Sequence, residues 1–185
     1  MARHRFYPTL IALLTFSLLG LTATSSYGEV LNRPFTVNAT ILPGCILGSG
    51  NSDSSSFGAL NFGNVSSLST NIDIISSQNA GSIMIQCSGT PSITLALNSG
   101  ANTAGNIATG RRLLNSATGE YLAYQIFQDS ARSVIWGNGS NGGTAQVIKA
   151  NSTLQQIVLY ARLFASSTFP TAGNYTDTLL VTVTY

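Results

Sequence analysis

From position 35 to 41 the chain alternates. Phe35, Val37, Ala39 and Ile41 fall on one face of an extended segment, and Thr36, Asn38 and Thr40 fall on the other. A period of two predicts a strand with an apolar face to bury. The same pattern returns at the far end, where Leu179, Val181, Val183 and Tyr185 share a face opposite Thr178, Leu180, Thr182 and Thr184. Between these two, short alternating or β-branched runs predict strands over 59–62, 72–75, 82–87, 92–97, 121–128, 145–150 and 155–164, with the last strand over 176–185. Breaker-rich stretches at 48–57, 98–106, 137–143 and 166–173 separate them, and helical periodicity is weak throughout. Many short strands without a repeat or an interdomain linker predict one all-β domain. Two antiparallel sheets packed face to face are favoured over a barrel.

The first 28 residues read differently. Arg3, His4 and Arg5 precede an apolar run over 10–21 and then small residues, the order of a secretion signal. Cleavage after Gly28 makes Glu29 the mature start, and Ala23-Thr24-Ser25 reads equally well as a cleavage site. The apolar run is shorter than the ~20 residues a membrane anchor needs. Removing the signal takes away Arg3 and Arg5 and leaves six cations against six carboxylates. The basic pI of about 8.7 therefore belongs to the precursor, and a neutral mature chain has no electrostatic claim on nucleic acid or anionic lipid. Export to an oxidising compartment pairs the two cysteines, Cys45 and Cys87, in a disulfide.

The commonest hydrolase designs are excluded by what is missing. The only histidine is His4, inside the signal, so the mature chain assembles neither a Ser-His-Asp nor a Cys-His constellation. The carboxylates Asp53, Asp73 and Glu120 sit in loop or strand-edge contexts, with nothing that singles out a glycosidase pair. Gly137-Asn138-Gly139 and Gly142-Gly143 read as loop tips, because no strand-to-helix context makes them a phosphate cradle. Two cysteines without histidine do not make a metal site, and no cofactor or small-molecule substrate is expected. Five Asn-x-Ser/Thr sequences, at Asn38, Asn64, Asn138, Asn151 and Asn174, matter only in a host that glycosylates them. Trp136 has two readings, a core anchor or an exposed recognition aromatic.

Taken in order, several pieces carry a resemblance. An alternating segment runs into Cys45; Leu60-Asn61-Phe62-Gly63 follows, and Cys87 closes a strand. Then come Arg111 with Leu113 or Leu114, the run Leu122-Ala123-Tyr124-Gln125-Ile126-Phe127-Gln128-Asp129, and Trp136-Gly137. Ala172-Gly173-Asn174-Tyr175-Thr176-Asp177-Thr178 leads into Val181-Thr182-Val183-Thr184-Tyr185 at the close. In these pieces the chain resembles the spore coat protein U domain family, the subunit fold of archaic, Csu-type chaperone–usher pili. It departs from that pattern at Ala161, where the resemblance leads one to expect a glycine and a local turn or bulge. The resemblance implies an incomplete immunoglobulin-like β-sandwich, completed by a strand that a neighbouring subunit donates. The implied domains are the signal 1–28, a donor segment 29–44 and a pilin domain 45–185. Phe35, Val37, Ala39 and Ile41 would be donated, and Leu179, Val181, Val183 and Tyr185 would line the accepting groove. The implied partners are neighbouring pilin subunits, a periplasmic chaperone and an outer-membrane usher, in a pilus that supports surface adhesion and biofilm formation. Two readings of 35–41 stand at this point: a donated strand, or the first strand of a self-contained sandwich. A secreted single-domain adhesin or spore-coat-type surface protein, binding sugars or abiotic surfaces, is the alternative function.

Overall fold

The structure, a computed structural model, describes residues 33–34, 36–42, 44–48 and 56–185. The signal segment 1–28, the mature start at Glu29 and Phe35 lie outside the described residues. The chain divides into a unit up to Ala39 and a second unit from Thr40 to Tyr185. In the first, residues 36–39 form no ladder. Among the described residues all the strands lie in the second: β1 (Cys45–Gly48), β2 (Ile72–Ile75), β3 (Ile83–Cys87), β4 (Ser92–Leu97), β5 (Arg111–Asn115), β6 (Glu120–Phe127), β7 (Gln146–Lys149), β8 (Gln155–Ile157), β9 (Tyr160–Leu163) and β10 (Val181–Thr184). No helix occurs among the described residues.

The strands form three antiparallel sheets rather than the two expected, in the orders β1-β3-β8, β10-β4-β7 and β2-β9-β6-β5. They share one core. Ile83 and Ile85 of β3, Ile93, Leu95 and Leu97 of β4, Tyr124 and Ile126 of β6, and Ala161 and Leu163 of β9 are all buried in it. Each such aliphatic side chain withdrawn from water contributes about 1.5–3 kcal/mol, so this cluster is the main source of stability. Trp136 is wholly buried, and its indole N–H donates to the carbonyl of Leu95 at 2.9 Å. It is a core anchor.

The third sheet arises inside the run 155–164. Ile157, Leu159, Ala161 and Leu163 are buried in strict alternation, as one strand requires. The ladder nevertheless changes partner midway: β8 pairs with β3, whereas β9 pairs with β2 and β6. Val158 and Leu159 carry the chain from one sheet to the other. Ala161 itself stands in regular register, opposite Ile74 on one side and Ile126 on the other, with no bulge at that position. The expected strand at 59–62 is not one. Leu60 and Phe62 pack onto the core from irregular backbone, so their alternation records burial without pairing.

β5, which the hydrophobic pattern does not announce, joins β6 through a tight turn. The N–H of Gly119 donates to the carbonyl of Asn115 at 2.8 Å, with Gly119 at φ 77° where a side chain would be strained. Residues 98–110 then lie over the end of this hairpin and bury Ile107 completely. That cover explains why β6, half-exposed at its start, is buried on both faces from Tyr124 to Phe127.

Candidate strand-exchange site

β10 is an edge strand. It pairs antiparallel with β4, Val181 opposite Leu97 and Val183 opposite Leu95, and among the described residues it has no ladder partner on its other side. The two strands differ sharply in burial. Ile93, Leu95 and Leu97 of β4 are fully buried, but Leu179, Val181 and Val183, which point the same way, are only half-covered. An apolar row left half-wet beside an unpaired backbone edge is the arrangement that invites an added strand. Tyr185, 56% exposed, continues the row past the end of the ladder. On the opposite face Leu180 is also exposed, with Thr182 and Thr184.

The approach to β10 is fastened by polar side chains. Asn98 holds Leu180 at two points: its N–H donates to the Leu180 carbonyl at 3.0 Å, and its Oδ1 accepts from the Leu180 N–H at 2.9 Å. Asp177 gathers donors from three places. Its Oδ1 accepts from the backbone N–H groups of Ala101 at 2.8 Å and Thr178 at 2.9 Å, and its Oδ2 accepts from the Tyr124 hydroxyl at 2.6 Å. Burial, reinforced by the Asp177 carboxylate, pushes the Tyr124 phenol well above its ordinary range. Arg111 lies beneath, completely buried, and donates to the carbonyls of Asn98 at 2.9 Å and Trp136 at 2.7 Å and to the side chain of Gln125. Desolvation lowers its pKa. Arg111 and Asp177 lie in sequence motifs that assign them no role, and Asn98 lies in a breaker-rich stretch. The signal was there: in a chain with so few charges, an arginine inside a strand and an aspartate just before one each need an explanation.

The segment expected from the sequence to be the donor is unpaired where it is described. Thr36–Ala39 and Thr40–Leu42 carry no ladder; Val37 is 79% exposed and Ile41 86%, and Ala39 is exposed too. The chain becomes fixed immediately afterwards. Gly44 and Ser88 exchange hydrogen bonds, the Gly44 N–H donating to the Ser88 hydroxyl at 2.9 Å and the Ser88 N–H to the Gly44 carbonyl at 2.8 Å. The next pair of the β1–β3 ladder is Cys45 opposite Cys87, joined by the disulfide read from the sequence. Among the described residues, no group of three or more metal-ligating side chains gathers.

Residues 31–182 match the Spore Coat Protein U domain. The chain belongs to that family. As a spore coat protein U domain it is 28% identical over 148 residues to Protein U of Myxococcus xanthus, a match covering 76% of this chain and 77% of the relative. Its fold is similar to a chain in the crystal structure of the CsuC–CsuE chaperone–tip adhesion subunit pre-assembly complex from the archaic chaperone–usher Csu pili of Acinetobacter baumannii. That similarity has a TM-score of 0.51 at 25% identity and covers 79% of this chain. This chain spans 41% of that longer chain. Family and fold together make this a structural, non-enzymatic protein.

Proposed function

We propose that this protein is a structural subunit of an extracellular chaperone–usher pilus, and that subunits join when residues 33–42 of one copy lie along β10 of the next. The observation that carries this reading is the one-sided β10 edge with its half-covered row of Leu179, Val181 and Val183. The exposed Val37, Ala39 and Ile41, with Phe35 before them, supply a matching apolar row at the period a strand requires. Burying Phe35, Val37 and Ile41 at ~1.5–3 kcal/mol each, with less from Ala39, gives about 5–10 kcal/mol before ordering costs. That is comparable to the ~5–15 kcal/mol net stability of a whole domain. A subunit holding its neighbour's arm is therefore long-lived, and one without it exposes an edge that a periplasmic chaperone would cap until an outer-membrane usher exchanges it. In this reading the mature chain passes through the periplasm to the cell surface, where the fibre supports adhesion and biofilm formation. The adhesin alternative loses its best recognition aromatic, because Trp136 is in the core.

Electron microscopy of cells expressing the chain with and without residues 33–42 tests the reading: fibres with the full chain, and none with the deletion. A Phe35→Asp, Ile41→Asp double variant is expected to be exported and chaperone-bound but to form no fibres. Normal fibres from either variant would refute the donor assignment.

A further inference from the structure

We infer that Asn98 and Asp177 are positioning residues for strand exchange: they hold the start of β10 in register from within the subunit, so that the accepting edge exists before a neighbour's arm arrives. The inference rests on the pilus-subunit reading and adds to it a device that makes the edge ready. β10 by itself is poorly secured. Its ladder covers only Val181–Thr184, it has one partner strand, and its inward apolar row is half-covered, so burial cannot hold it as firmly as it holds β4. Register matters acutely here. A slip of one residue against β4 would turn Val181 and Val183 outward and present Thr182 and Thr184 to the incoming strand.

The fastening lies just upstream of that ladder and comes from side chains. Asn98 grips Leu180 through both its backbone N–H and its side-chain oxygen, and the Asn98 carbonyl is itself held by the buried Arg111 guanidinium at 2.9 Å. Three residues earlier, Asp177 ties the chain to the Ala101-Asn102 turn. Beyond the bonds already described, Oδ1 accepts from the Asn102 backbone N–H at 3.2 Å and the Asn102 side-chain amide at 3.1 Å. The same amide donates to the Thr176 carbonyl at 2.9 Å, and the Ala101 N–H donates to the Thr178 carbonyl at 3.1 Å. The fit is close: a Cβ on Gly100 would come within 2.2 Å of the Asp177 Oδ2. Residues 176–180 are thus fixed at alternate points along their length, and the register of β10 follows from theirs.

The test uses the purified mature protein and a fluorescent synthetic peptide of residues 33–42 as the donor probe, with amide hydrogen exchange followed strand by strand. Asn98→Ala and Asp177→Ala are each expected to weaken peptide binding at least tenfold and to speed exchange in β10 at least tenfold, leaving β3 and β6 protected. Tyr124→Phe, which removes one donor to Asp177 and keeps the ring in the core, is expected to give a several-fold loss in the same direction and guards against a variant that fails to fold. Unchanged binding and unchanged β10 exchange in these variants would overturn the inference. So would a loss of protection equal in β3, β6 and β10, since that marks general destabilisation. Failure of the unaltered protein to bind the peptide would count against the pilus reading instead; the β10 exchange rates, which need no donor, would still decide whether the two side chains hold the strand.

Discussion

At the scale of single residues, Arg111 is the one charge among the described residues that is placed where charge is costly. It is completely buried, and none of its hydrogen bonds goes to a carboxylate; they go to the carbonyls of Asn98 and Trp136 and to Gln125. Such a cation is tolerated only because its planar fork is met by oxygens on several sides. Replacing it with alanine leaves the buried Trp136 carbonyl and the half-buried Asn98 carbonyl without this donor, at about 1–3 kcal/mol for a fully buried group and less for the other, and opens a cavity besides. Arg111→Ala is expected to lower stability by roughly 3–5 kcal/mol in urea denaturation. Arg111→Lys should recover little, because a single ammonium on a flexible stem cannot reach carbonyls arranged for a fork. A lysine variant with the unaltered urea midpoint would show that charge alone, and not geometry, meets the requirement.

At the scale of elements, the disulfide stands at the rung of β1–β3 nearest the exposed arm, with Gly44 and Ser88 bonded one residue beyond it. Its closure of a 42-residue separation stabilises the fold by about 4 kcal/mol in the loop-entropy account. A Cys45→Ser, Cys87→Ser double variant is expected to lose about that amount, read as a lower urea midpoint, and a reducing agent should have no effect on the variant. Which elements were legible beforehand follows from what alternation encodes. β2 and β4 match the expected bounds because their apolar faces are flanked by breakers and each stays with one set of partners. The corner between β8 and β9 was invisible, since the buried face runs unbroken through Ile157, Leu159, Ala161 and Leu163 and only the hydrogen-bond partner changes. β5 was hidden for the opposite reason: its buried first residue is an arginine, so polarity pointed the wrong way. The apolar rows of the proposed exchange site were readable as faces at both ends of the chain. Their exposure was not, because one sequence pattern serves a strand covered by its own domain and a strand awaiting another.

At the scale of the whole molecule, the response to pH is set by a few carboxylates on one side and by tyrosine on the other. A hydrogen bond from Arg162 holds the Asp73 carboxyl below its ordinary 3.8. The Thr171 N–H and then the Tyr175 hydroxyl hold Glu120 below 4.5, and the N–H of Val134 does most to lower Asp129. Each of these groups favours the folded state while ionised. Its contribution is present above the ordinary carboxyl range and is lost as pH falls through the lowered folded-state pKa. Tyr124 works in the other direction, with its phenol raised above 10.0 first by burial and then by Asp177, and Tyr175 is raised as well. Above pH 10 the unfolded tyrosine ionises while the folded one does not, so stability falls with rising pH, by up to about 1.4 kcal/mol per pH unit for Tyr124. Between these limits little titrates: the sequence has no histidine after His4, and both cysteines are bonded to each other. The melting temperature is therefore expected to be flat between about pH 5 and 9, dropping on either side. Tyr124→Phe should make the alkaline decline shallower. A melting temperature that shifts by several degrees between pH 6 and 8 would show that a group outside this set controls stability.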